Sequence, residues 1–145
     1  MPIIVRDLAA SDRAQWEPLW RGYNAFYKRT LLAEVNNATF ARFFDPAERM
    51  HALVAEEDGR LLGLVHFLYH RATAMLELNC YLADLFTNEA ARGKGVGRLL
   101  IEAVYERARA AGSSRVYWQT HETNARSEEH TSELQSRQYL VCRLL

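Results

Sequence analysis

The sequence predicts a single α/β domain of the α+β type, and three observations support that fold class. Apolar alternation and turn signals give the element order β-α-α-β-β-β-α-β. The charged connection at residues 57–60 joins two apolar runs and is the strongest hairpin signal in the chain. A glycine-rich segment at residues 92–97 separates a predicted strand from a predicted helix. With 145 residues, 49% of them hydrophobic, the chain can bury one core.

The N-terminal part predicts a strand followed by a helix with an aromatic stripe. Residues 3–6 alternate as a strand does, and Ser11 or Asp12 can cap the helix that follows, with Asp12 and Gln15 in a capping-box pattern. Aromatic side chains recur along that helix at a/d spacing, which is more typical of a core stripe than of a ligand cage. They are Trp16, Trp20, Tyr23 and Tyr27. The later predicted elements are a helix at 33–44, strands at 52–56, 61–69 and 75–87, a helix at 95–111 and a strand at 115–120.

Composition and charge exclude several classes of function. Basic and acidic residues each number 18, so the net charge is zero and no overall field recruits nucleic acid or an anionic membrane. No apolar run is long enough to span a bilayer, and the N-terminus lacks the pattern of a signal peptide. Cys80 and Cys142 do not support a disulfide framework. We therefore expect a cytoplasmic protein with neither a nucleic-acid nor a membrane partner, and a homodimer is compatible with the sequence.

The glycine-rich segment predicts an anion-binding loop. Without Cβ atoms at its three glycines, consecutive backbone N–H groups can close on a pyrophosphate, and the following helix adds a favourable dipole. Lys94 is followed by Gly95, which excludes a P-loop, and the Gly-x-Gly-x-Gly spacing does not fit a dinucleotide fingerprint. A glycine-rich turn that binds no ligand is the alternative interpretation.

The loop and its flanking strands together resemble a known family. Residues 92–97 read Arg-x-x-Gly-x-Gly, the run at 81–87 precedes them, and the run at 116–120 is followed by Asn124. Over residues 3–125 this combination resembles the GNAT superfamily of N-acetyltransferases. The resemblance implies a mixed, mostly antiparallel sheet flanked by helices, here truncated before the last helix and two strands. It also implies acetyl transfer from acetyl-CoA, as co-substrate, to the primary amine of a small molecule, polyamine-like or amino-acid-like, by direct attack and with no metal.

The resemblance also implies where acetyl-CoA binds. Backbone N–H groups at the end of the fourth strand would hold the pantetheine arm and polarise the thioester, and the loop would bind the pyrophosphate. The expected binding residues are Leu85, Phe86, Thr87, Arg92, Gly93, Lys94, Gly95, Val96, Gly97, Arg98 and Asn124. Arg92, Lys94 and Arg98 could alternatively be solvated surface residues that bind no ligand. Asn124 could alternatively be a helix cap.

Asp84 is the candidate catalytic base, because it lies on the strand beside the expected thioester and could relay a proton from the amine. A carboxylate bonded to nearby backbone N–H groups is the alternative. Weaker candidates are Glu77, Glu122 and His66. His66 and His70 share a strand face but lack a third ligand, so we expect no metal site.

The family's general acid, a tyrosine, should lie close to position 131, where this chain has Thr131. Tyr139 is misplaced by about two helical turns, so the role is not transferred to it. Exposed members of the aromatic stripe could form one wall of an amine-binding cleft together with Glu34. A catalytically silent acyl-CoA-binding module and a nucleotide-phosphate binder are the alternative functions.

The sequence of the C-terminal segment indicates an origin different from that of the rest of the chain. Residues 126–136 can be back-translated into a common short-read sequencing adaptor, and the residues from Tyr139 onward continue that adaptor in frame. Our hypothesis is that residues 1–125 form a C-terminally incomplete acetyl-CoA-binding N-acetyltransferase domain and that residues 126–145 are an assembly artefact. A polar helix with a short apolar end is the alternative. The truncation would impair turnover and leave the fifth strand as an unprotected edge.

Overall fold

The structure is a computed structural model that describes residues 2–121 and 138–145. The helices and strands are β1 (Ile4–Asp7), α1 (Arg13–Phe26), α2 (Ala33–Arg42), β2 (Met50–Glu57), β3 (Arg60–His70), β4 (Leu78–Thr87), α3 (Val96–Ala110), β5 (Ser113–His121) and β6 (Gln138–Leu144). Short 3-10 helices at Ala10–Asp12 and Glu89–Ala91 precede α1 and α3.

The strands form one six-stranded sheet in the order β1-β2-β3-β4-β5-β6. All neighbouring pairs are antiparallel except β4 and β5, which are parallel and are connected by α3. A parallel pair needs such a crossover, because its second strand must start at the same end of the sheet as the first. The predicted mixed, mostly antiparallel sheet flanked by helices is confirmed.

Helices cover both faces of the sheet, and β2 shows how the sequence divides the two cores. Leu53 and Ala55 pack in one buried cluster together with α3. Ala52 and Val54 pack in a second cluster with α1 and α2. Successive side chains of a strand point to opposite faces, so this unbroken apolar run is the pattern expected of a strand buried on both sides.

Strand β4 is irregular at its centre and separates from β5 halfway along. His66 lies opposite Asp84 whereas Phe67 lies opposite Leu82, so Ala83 is an extra residue that forms a β-bulge. The pairing of β4 with β5 ends at Tyr81. The second half of β4 therefore pairs with β3 on one side and faces a gap on the other.

The predicted capping box at the start of α1 is wrong. Asp12 does not form a capping box with Gln15; its carboxylate accepts from the Ala9 N–H at 2.7 Å and from the Arg6 guanidinium. Gln15 instead bonds across to the β2–β3 turn, where its amide donates to the Gly59 carbonyl and its oxygen accepts from the Leu61 N–H. A tertiary contact has replaced the local cap.

The expectation that β5 is an unprotected edge is also wrong. β6 pairs with it antiparallel from Arg115 opposite Leu144 to His121 opposite Gln138. An open edge offers unpaired N–H and C=O groups to any extended segment within reach. Because such pairing needs no particular side chains, the adaptor hypothesis for residues 126–145 stays a prediction. None of the helices in the described ranges has the length and apolarity that a membrane span requires.

Gly63 tests the packing of β3 against β4 and α3. A Cβ there would lie 2.8 Å from the Phe86 carbonyl oxygen and 3.0 Å from a Val96 methyl. We expect Gly63→Ala to lower the free energy of unfolding by about 1–3 kcal/mol, since a main-chain oxygen cannot retreat without disturbing β4. Gly97→Ala is the control, because its Cβ would meet Thr87 Oγ1 at an ordinary 3.8 Å. Equal urea midpoints for the two variants would contradict this account.

Asp12 gives a prediction for acid stability. The hydrogen bond from Arg6 lowers the pKa of its carboxyl group, so the pair stabilises the fold above the ordinary aspartate pKa and ceases to do so as the pH falls through the lowered value. Asp12→Asn should lower the free energy of unfolding by about 1–2 kcal/mol at neutral pH, and the difference from the parent should shrink in acid.

Asp7→Asn is the matched control for that titration. The Asp7 side chain is 70% exposed and pairs with the exposed Arg107, and such pairs contribute little to stability. Urea denaturation at neutral pH should therefore give nearly the same midpoint for this variant as for the parent. If Asp12→Asn lowers the free energy of unfolding by the same amount at every pH, the stabilisation does not come from the carboxylate charge.

Candidate active site

A pocket of about 310 Å³ opens where β4 and β5 separate. Its lining combines the end of α1, the bulged part of β4 and one side chain of β5. The lining residues are Tyr23, Tyr27, Arg29, Tyr81, Ala83, Asp84 and Gln119. The candidate base Asp84 thus lies in the wall of this pocket, and Glu77 and Glu34 are exposed and do not line it.

Asp84 is oriented by a chain of buried groups. Its Oδ2 lies 3.0 Å from Nδ1 of His66, which is 3% exposed. The indole N–H of Trp16 donates to His66 Nε2 at 3.1 Å. Because Nε2 accepts, we assign the ring proton to Nδ1, which then donates to Asp84. Both nitrogens of His66 are occupied, so this residue positions the carboxylate and does not itself face the pocket as a base.

Tyr23 supplies a protonated hydroxyl beside the carboxylate. Its O–H donates to the carbonyl of Ala83 at 3.4 Å. Burial raises the pKa of this phenol, and the nearby negative charge of Asp84 raises it further. The hydroxyl therefore remains a donor at neutral pH.

The glycine-rich segment forms the start of α3. Gly93 and Gly95 have φ values of +90° and +76°, in the region that favours glycine, and Gly95 is the N-cap. The Leu99 N–H makes a bond to the Gly95 carbonyl, so the N–H groups of residues 96–98 belong to the unpaired first turn. This arrangement fits an anionic phosphate group.

The basic side chains of the loop differ in their surroundings. Arg92 and Arg98 are exposed. Lys94 is paired with Glu57 at 3.1 Å, with about half of its side chain exposed. An exposed pair of this kind is weak and can exchange for another anion.

The open side of β4 presents only alternate main-chain groups. The Asn88 N–H donates to the Leu62 carbonyl. Because bonded and non-bonded pairs alternate along an antiparallel ladder, the Phe86 N–H is directed to β3 and those of Leu85 and Thr87 face the gap. The ring of Phe86 packs against α1 at Gly22. A Cβ atom at that glycine would lie 2.7 Å from Cζ of the ring.

Other predicted residues lie elsewhere. Asn124, Glu122 and Thr131 fall outside the described residues, and Tyr139 lies on β6. His70 is bonded through Nε2 to the Tyr117 hydroxyl at 2.6 Å and is separate from His66. Searched over the described ranges, the chain has no group of three or more His, Cys, Asp or Glu side chains suited to a metal ion.

The aromatic stripe divides between the core and the pocket. Trp16 and Trp20 are buried, as expected of a core stripe. Tyr23 and Tyr27 line the pocket, beside Arg29. Arg29 was not among the predicted site residues; it follows the end of α1, and the only signal was the four-residue spacing of Tyr23 and Tyr27 just before it.

A pocket at a split parallel strand pair suits an acyltransferase, and a family model described as the acetyltransferase (GNAT) family matches residues 12–129. The chain belongs to the GNAT family of acetyltransferases. It is similar to D-amino-acid N-acetyltransferase HPA3 of Saccharomyces cerevisiae, with 40% identity over 128 residues that cover 87% of this chain and 80% of that protein. The prediction of an N-acetyltransferase is confirmed.

Solved structures of low identity share the fold. A structure described as a transcriptional regulator from Bacillus halodurans C-125 superposes with a TM-score of 0.77 at 18% identity, covering 94% of this chain and 93% of that chain. The NatC complex bound to Gag peptide and CoA gives a TM-score of 0.76 at 12% identity, covering 100% of this chain and 99% of that chain.

The position of the His66 proton can be measured directly. We expect long-range nitrogen-correlated NMR spectra to show the tautomer with hydrogen on Nδ1, because Trp16 donates to Nε2. His51, which lies outside the pocket and stacks on Phe67, provides an internal comparison. A proton on Nε2 would contradict the assigned chain from Trp16 to Asp84.

Proposed function

We propose that this chain transfers the acetyl group of acetyl-CoA to the primary amine of a small molecule by direct attack. The observation that carries the proposal is the carboxylate of Asp84, oriented by His66 in a pocket beside the open side of β4. The yeast relative, a D-amino-acid N-acetyltransferase, supports a small-molecule acceptor. Polyamine-like and amino-acid-like amines both belong to this class.

Acetyl-CoA would supply the acetyl group as an activated thioester. The first turn of α3 would bind its pyrophosphate through main-chain N–H groups, and Arg92 and Arg98 would add positive charge. The N–H groups of Leu85 and Thr87 would hold the pantetheine arm and stabilise negative charge that develops on the acetyl oxygen.

Asp84 would accept one proton from the incoming ammonium group, so that nitrogen attacks as the neutral amine. A nitrogen–carbon bond forms, the carbon–sulfur bond breaks, and the sulfur leaves as a thiolate. The second proton that nitrogen loses neutralises this thiolate by way of solvent, and Asp84 returns its own proton to solvent. His66 would keep the carboxylate oriented through both transfers.

The test is amine-dependent release of free thiol from acetyl-CoA by the purified chain and by Asp84→Asn. Asparagine keeps an oxygen that can accept from His66 but removes the base. We expect kcat/KM for the amine to fall by about 10²–10⁴-fold, the usual contribution of a general base, with acetyl-CoA binding unchanged. Glu77→Gln, which removes an exposed carboxylate outside the pocket, is the control and should retain activity.

Other results would overturn the proposal in favour of the alternatives. Thermal protection by acetyl-CoA without amine-dependent thiol release would favour a silent acyl-CoA-binding module. Equal protection by ATP and coenzyme A would favour a nucleotide-phosphate binder. Full activity of Asp84→Asn would contradict the role of this carboxylate.

A further inference from the structure

We propose that Arg29 binds the carboxylate of the acceptor, so that the preferred acceptor is an α-amino acid and not a polyamine. The inference rests on the proposed function, because it identifies the substrate class of the same pocket. Its starting observation is that the pocket carries charges of both signs, with Arg29 and Asp84 both in its lining. An α-amino acid is a zwitterion whose two charges match that pair.

The local chain geometry holds Arg29 in place. At the end of α1 the Lys28 N–H donates to the Ala25 carbonyl and the Arg29 N–H donates to the Asn24 carbonyl. This is the Schellman pattern, with Lys28 in the left-handed region at φ +57°. The turn reverses the chain, so Arg29 lies back against the last turn of the helix.

The guanidinium is further fixed by one amide and two rings. Its Nε donates to the Asn24 side-chain oxygen at 3.2 Å. Asn24 is 3% exposed, and its own amide N–H donates to the Trp20 carbonyl at 2.8 Å, which orients it. The guanidinium carbon lies 5.8 Å and 5.6 Å from the ring centres of Tyr23 and Tyr27.

This arrangement leaves the outer edge of the guanidinium for a ligand. Over the described ranges no carboxylate of the chain forms an ion pair with Arg29. Its two terminal nitrogens form a planar fork that fits a carboxylate with two parallel hydrogen bonds. Arg29 and Asp84 also act oppositely on Tyr23, since the carboxylate raises the pKa of that phenol and the guanidinium lowers it. Both charges therefore face the same small volume.

A polyamine fits this pocket poorly. Its second ammonium group would meet a fixed guanidinium, and like charges at short range repel. The ammonium group of an amino acid would instead be directed to Asp84 while its carboxylate is held by Arg29. The aromatic rings around Arg29 suit an apolar amino-acid side chain.

The experiment compares Arg29→Ala and Arg29→Lys with three acceptors that differ only at the carboxylate: phenylalanine, its amide and 2-phenylethylamine. For phenylalanine, Arg29→Ala should lower kcat/KM by roughly 10- to 100-fold, the range for a charge-assisted hydrogen-bonded pair. For the amide and the amine the change should be about threefold or less, because neither has a carboxylate to lose. Arg29→Lys should be intermediate, since lysine keeps the charge but not the fork.

Lys28→Ala is the matched control, because it removes the same charge one residue away and should affect all three acceptors equally little. Losses of equal size for all three acceptors in Arg29→Ala, or a parent preference for spermidine or 2-phenylethylamine, would overturn the inference. Equilibrium binding of phenylalanine to the parent and to Arg29→Ala separates this inference from the proposed function. If phenylalanine binds only when Arg29 is present but no acetyl group is transferred, the inference holds and the proposed function fails. If phenylalanine binds equally well to the parent and to Arg29→Ala, the inference is refuted.

Discussion

The candidate site depends on the separation of β4 from β5 after Tyr81. If the two strands stayed paired to their ends, the N–H groups of Leu85 and Thr87 would be satisfied by β5 and there would be no gap to receive a ligand. The bulge at Ala83 accompanies this separation, since an extra residue interrupts the ladder and increases the local twist. A sheet otherwise built for regular pairing thereby exposes polar main chain next to a carboxylate.

The two layers of helices complete opposite ends of that gap. On one face, α3 begins at a left-handed glycine, and the N–H groups of its first turn have no partner within the helix. On the other face, α1 approaches β4 closely because Gly22 has no side chain where the Phe86 ring packs. The same helix supplies Trp16 to the buried histidine and Tyr23 to the pocket. Close packing of one helix thus determines both the orientation of the Asp84 carboxylate and the shape of the pocket.

The sequence predicts best those features that are encoded locally. The hairpin at residues 57–60 and the glycine-rich segment are recognisable because the backbone conformations they need restrict the residue types. Gln15 could not be placed, because a capping-box pattern and a contact with a turn more than forty residues away look alike in sequence. Arg29 was hidden for a similar reason: the turn that positions it has Lys28 where glycine is the usual signal. Side chains that act through long-range contacts need the fold before they can be assigned.

The stacked indoles of α1 have a consequence for observing this protein in solution. Trp16 and Trp20 lie 5.9 Å apart, and Trp16 is connected to the pocket carboxylate through a single imidazole ring. Indole emission responds to nearby charge and to changes in hydrogen bonding. Trp16 is therefore an indole shielded from bulk water that lies one hydrogen-bonded ring away from the pocket carboxylate, so its emission is the natural label-free signal to follow when the pocket is titrated or filled.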